Sequence, residues 1–147
     1  MGTLSCKAVR QRVAAAVDAV AGMRESPFLL DQLTTQTPKT ALDGSFSVTL
    51  TDSPIGPGQQ RQRKAEGVTV TTGVDITFMS NLRGDANVTD YDAALDRAEQ
   101  VIIAAKGIAQ TDLHIDFLGK TAPIQLDGMK ATECTVSFRA THRLALQ

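Results

Sequence analysis

Residues 67–107, GVTVTTGVDITFMSNLRGDANVTDYDAALDRAEQVIIAAKG, decide the architecture. From Val68 to Ser80 the even positions read Val68, Val70, Thr72, Val74, Ile76 and Phe78, with Thr69, Thr71, Asp75 and Thr77 between them. A period of two predicts a strand with one buried and one wetter face. Residues 81–88 hold Gly, Asp and two Asn, a turn composition. Thr89 is the expected N-cap, with Asp92 three residues on in the capping-box place. The helix is expected to run to Lys106, a cation at the negative end of the dipole, with Gly107 as a left-handed cap. Its predicted core stripe is Tyr91, Leu95, Ala98, Ile102 and Ala105.

Outward from this unit, residues 4–22 predict a first helix with Val9, Val13, Val17 and Val20 facing the core. Gly22 closes it and Pro27 prevents continuation. Phe28, Leu29 and Leu30 form an apolar cluster, and 34–40 reads as a surface loop. Ser45–Thr51 predicts a strand with Phe46, Val48 and Leu50 inward. Beyond the long helix, Leu113, Ile115 and Phe117 alternate with His114 and Asp116, and Gly119-Lys120 reads as a turn. Pro123–Leu126 is a short edge strand and Asp127-Gly128 a hairpin signal. Residues 130–143 close the chain, with Cys134, Val136, Phe138 and Ala140 inward. The expected order is α-β-β-α-β-β-β. It gives an α+β fold: a mostly antiparallel or mixed five-stranded sheet with two helices on one face. A length of 147 residues fits one domain, 1–147.

Between the first two strands lies a long polar loop, 52–66 (DSPIGPGQQRQRKAE). Antiparallel neighbours are usually joined by two to five residues, and long excess loops tend to be functional. Pro57, Gln59, Gln60, Arg61, Arg63 and Lys64 are therefore the candidate subunit- or partner-binding residues. They carry the densest basic patch of the sequence.

With 15 basic and 16 acidic residues, there is no electrostatic case for a free-standing nucleic-acid or membrane binder. Trp is absent and Tyr occurs once, which leaves little to stack on bases. Cys6 and Cys134 lack metal-ligand spacing and are expected to stay reduced, Cys134 facing the core. Lys7, Arg10 and Arg12 interrupt the N-terminal helix, so no secretory signal is expected, and no run reaches membrane-span length.

His114 and His142 are both assigned the outward phase of their strands, with no nucleophile or acid in view to make them catalytic. Asp85, Asn87 and Thr89 alternate as in a calcium loop, with Asp96 in twelfth place. Asp90 replaces the required Gly and Asp96 the bidentate Glu, so no metal site is expected. Gly56 and Gly58 lack the helix and third Gly of a dinucleotide fingerprint. No catalytic residue, metal or cofactor is assigned, and the chain is not expected to be an enzyme.

The layout resembles the tail terminator proteins of long-tailed, siphovirus-like bacteriophages. The resemblance is carried by Gly73-Val74-Asp75-Ile76-Thr77-Phe78, the turn into Thr89-Asp90-Tyr91-Asp92, and Thr135-Val136-Ser137-Phe138-Arg139-Ala140-Thr141-His142-Arg143. It covers most of the chain as a pattern of elements rather than a motif. It implies a virion protein, assembled in the host cytoplasm, that forms a ring (a hexamer in that family) at the head-proximal end of the tail tube. Such a ring stops tube polymerisation and offers a surface to the head-side connector or stopper. Viral DNA passes transiently and non-specifically through its lumen, and no membrane is involved. The 52–66 arm would then reach a neighbouring subunit or the tube protein. Two other classes fit the sequence: another head–tail connector or tail-completion protein, and a small ligand-binding α+β domain whose site is spread over loops.

Overall fold

The computed structural model describes residues 2–26, 43–52, 68–81, 88–125 and 131–145. Helix α1 spans Cys6–Asp18. It starts later than expected because Ser5 is the cap, its Oγ accepting from the Ala8 N–H at 3.1 Å. It also ends four residues early, and Gly22 then takes a left-handed φ of 81°. Val20 lies beyond the helix yet still packs against the core.

A strand with no periodic signal follows: β1, Arg24–Glu25, parallel to β2, Ser45–Asp52. The Arg24 N–H donates to Gly44 O at 2.9 Å and the Ser26 N–H to Phe46 O at 2.8 Å. Gly44 makes this approach feasible. Its φ is 76°, and a Cβ there would strike the Gly22 carbonyl oxygen. The strand was illegible in advance because two residues cannot show a period.

Strand β3, Val68–Asn81, is antiparallel to β2 and, along all 14 of its residues, to β6, Ala131–Leu144. On the far side of β6 lie β4, Leu113–Lys120, and β5, Ile124–Gln125. The strand order is β1-β2-β3-β6-β4, with β5 continuing beside β6 past the end of β4. The fold is thus α+β with a mixed sheet, and among the described residues the element order gains one short strand: α-β-β-β-α-β-β-β. Gly119-Lys120 is not a turn. Both residues belong to β4, and the extra residue is Leu118, a bulge where the register shifts.

Helix α2, Val88–Lys106, starts one residue before the expected cap, so Thr89 sits in its first turn. The preceding Asn87 lies outside the described residues. Gly107 does not adopt a left-handed φ; its N–H donates to Ile103 O and Ala104 O at 3.1 and 3.2 Å. Of the expected stripe Ala98 and Ala105 are buried, but the buried line turns toward Ala94 and Val101 and away from Tyr91. Ala94, Ala98, Val101 and Ala105 face the sheet, while Tyr91 is 42% exposed. Three alanines on one line let the helix ride close to the strands, and the bulkier Leu95 and Ile102 are half-buried to one side, Ile102 still against the core.

Both helices lie on the same face of the sheet, α1 over β2 and α2 over β6 and β4, and they touch each other. One core joins Val9, Val13 and Val17 of α1 to Phe46, Val74, Ile76, Phe78, Val136 and Phe138 of the strands. It extends to Ala98 and Val101 of α2. At one end Arg97 ties α2 to the sheet through Asp43 Oδ1 (3.1 Å), Ser80 Oγ (2.9 Å) and Met79 O (3.3 Å). At the other, Arg12 of α1 makes a two-pronged pair with Asp112, at 2.9 and 3.1 Å.

Candidate functional site

The arm residues singled out in the sequence, Pro57, Gln59, Gln60, Arg61, Arg63 and Lys64, lie outside the described residues, as does the Asp127-Gly128 hairpin. What the structure fixes is where the arm is rooted. Asp52 pairs with Thr72 and Val68 with Leu144, so β3 begins four residues beyond the end of β2, in register with β6 there.

Two surfaces stand out. The first is the face of the sheet opposite the helices, a lattice of hydroxyls. Thr49 pairs with Asp75 and Asp75 with Ser137, and Thr77 pairs with Thr135. The hydroxyls knit the strands together: Ser137 Oγ donates to Asp75 Oδ1 at 2.7 Å, and the Thr77 and Thr135 hydroxyls meet at 3.1 Å. Gly73 fits here because a Cβ would collide with Thr51 Oγ1. Toward β4 the face becomes charged, with His114 at 3.1 Å and Arg139 at 3.9 Å from Asp116. At the corner where β2 begins, Ser45, Ser47 and Met79 take the outward phase yet are buried, so the open part lies farther along the strands.

The second is the shoulder formed by α2 and β4. Tyr91, Leu95, Ile102 and Lys106 share one helical line, and Lys106 Nζ donates to Ile115 O at 2.8 Å, which orients that line toward β4. Phe117 shares the inward phase of Leu113 and Ile115 but is 37% exposed, its ring edge-on to Phe138 at 5.5 Å. Leu118, at the bulge, is exposed as well. The edge of β4 is only partly available for pairing. Leu113 exchanges both main-chain bonds with Gln110, and Lys106 occupies Ile115 O, which protects the edge as far as Phe117. Rotation of the α2 stripe is what exposes this shoulder, and a helical period alone does not reveal it.

The two histidines separate. His114 is outward and exposed, as expected. His142 is not outward. It shares the phase of Phe138 and Ala140 and is fully buried. The parity of β6 already carries this signal, since His142 is an even step from Ala140. The Leu4 carbonyl can only accept, so Nδ1 donates to it at 2.7 Å, while Nε2 and the Thr72 hydroxyl share a hydrogen bond of 3.0 Å. Leu4 N–H in turn donates to Arg143 O at 2.7 Å. His142 is thus a clasp for the segment before α1, with no substrate-facing atom.

Cys134 is buried, as expected, and Cys6 is half-buried; both are free. Burial pushes the Cys134 thiol up, although the Thr121 side chain and nearby Lys120 act the other way. Among the described residues no group of three or more His, Cys, Asp or Glu is placed to hold a metal. Asp85 and Asn87 of the calcium-like spacing lie outside them. No helix among the described residues is long and apolar enough to cross a membrane. No protein-family model and no curated protein matches the sequence.

Proposed function

We propose that the chain is a structural virion protein of the tail-terminator kind. In this reading it forms a ring, a hexamer by the resemblance, on the head-proximal end of a phage tail tube. The ring stops tube growth, presents a surface to the head-side connector or stopper, and lets viral DNA pass without specific contact. The chain works there as a non-enzymatic, cofactor-free subunit assembled in the host cytoplasm. The observation that carries this reading is the pair of surfaces left on a fully built α+β core. One is a hydroxyl-rich sheet face clear of both helices. The other is an apolar shoulder at the β4 edge. Subunits of cyclic assemblies use such dissimilar patches for head-to-tail contact.

The experiment is mass measurement in solution with negative-stain imaging, alone and with tail tube protein. Rings, or monomers that assemble on tube ends and cap them, are the expected result. Protein that stays monomeric beside tube ends and leaves their growth unchanged overturns the proposal.

A further inference from the structure

We infer that the α2–β4 shoulder receives the 53–67 arm of a second copy of this chain; this rests on the ring reading above and names the contact that would close it. The receiving surface has two parallel lines. One is apolar: exposed Tyr91 and half-buried Leu95 and Ile102 on α2, with Phe117 on β4. The next line outward on α2 is Asp92, Asp96, Glu99 and Ile103, spaced i, i+4, i+7 and i+11, and Ile103 is 72% exposed. The three carboxylates are exposed, and among the described residues none of them makes an ion pair. Like charges at this spacing oppose the helix, so a cation laid along them is favoured.

The arm has the complementary chemistry in the same order of scale. Pro54, Ile55 and Pro57 are its apolar part, and Arg61, Arg63 and Lys64 oppose a single Glu66 in its basic part. Fifteen residues running out and back reach about 25 Å, close to the roughly 28 Å length of α2. The ring reading supplies another copy as the donor. The arm leaves beside β2, whereas the shoulder lies at β4, with β3 and β6 between them. A cyclic array that sets the β2 side of one copy against the β4 side of the next brings the two together. Because Gln110 occupies both Leu113 main-chain groups and Lys106 the Ile115 carbonyl, the contact is made by side chains over most of its length. Extended strand addition is confined to the stretch beyond Phe117.

The test mixes full-length Arg61→Cys copies with full-length Glu99→Cys copies under mild oxidation, wild type serving as the background for Cys6 and Cys134. A covalent dimer well above that background, in the mixture and in neither variant alone, is expected. A charge exchange gives the second reading. Arg61→Glu with Arg63→Glu should lower the assembled fraction at least tenfold, and adding Asp96→Lys with Glu99→Lys should restore it. A cross-link that forms only within single chains carrying both cysteines overturns the second-copy occupant. Rings that assemble normally with Arg61→Glu and Arg63→Glu alone overturn the inference and leave the ring reading standing. A wild type that never associates, even with tube protein, overturns both.

Discussion

The two faces of this sheet are built from the same strands, one residue apart, and they have little else in common. On β6, Val136, Phe138, Ala140 and His142 point under the helices and are buried. Their neighbours Thr135, Ser137, Arg139 and Thr141 point away and form a hydroxylated, partly charged surface. The contrast teaches how the sequence divides its labour. Free energy of folding is concentrated on the helix side, where apolar area leaves water. The other side holds register through cross-strand hydroxyl pairs, each a small term. The hydroxyl side can therefore change with little effect on folding, and the helix side cannot.

The sharpest way to break that contrast is Phe138→Ala. The ring is buried and also carries the edge of Phe117, so a loss of about 3–5 kcal/mol is expected in denaturant titration. Next comes His142→Leu, which keeps bulk but leaves Leu4 O without its donor. The expected cost is about 1–3 kcal/mol, with faster hydrogen exchange at the Leu4 amide as the local signature. An unchanged exchange rate there would show that the clasp is not what holds the segment.

A smaller effect is expected at the periphery of the helix side. The hydrogen-bonded Arg12 guanidinium holds the Asp112 carboxyl below its ordinary value of 3.8. A depressed carboxylate adds stability above its unfolded value and loses it as pH falls through the lower folded one. Arg12→Met should therefore lower Tm at neutral pH. The gap from wild type should narrow below about pH 4 and shrink in high salt, since the pair is partly exposed. A gap that widens in acid would contradict the assignment. Smallest of all is Ser137→Ala on the outer face, expected within about 0.5 kcal/mol because water can replace the lost donor to Asp75.

The same contrast explains what could be read in advance. Strands β2, β3, β4 and β6 alternate cleanly because one face is apolar and the other is not, and the period survives in the residues. Where the signal failed, a physical cause can be named. Strand β1 is too short for a period and depends on the left-handed Gly44 meeting Gly22. On α2 the period picks out Ala98 and Ala105, which are buried, but joins them to Tyr91, Leu95 and Ile102, whereas packing against the strands joins them to Ala94 and Val101. The polarity of His142 suggests an outward side chain, whereas its parity with Phe138 places it inside, where it is buried. The shoulder at β4 was hidden for the same reason as the α2 stripe, since its exposure follows from which helical line faces down. The arm at 52–66 stood out only as an anomaly of length and charge.

The pairing of β6 with β3 on one side and with β4 and β5 on the other has a consequence for biosynthesis. On a ribosome, β2 and β3 can form a hairpin early, but β4 has no ladder partner until residues 131–144 emerge from the exit tunnel. A nascent chain stalled before that point carries two unpaired strand borders and a half-covered hydrophobic layer, the kind of intermediate that recruits chaperones.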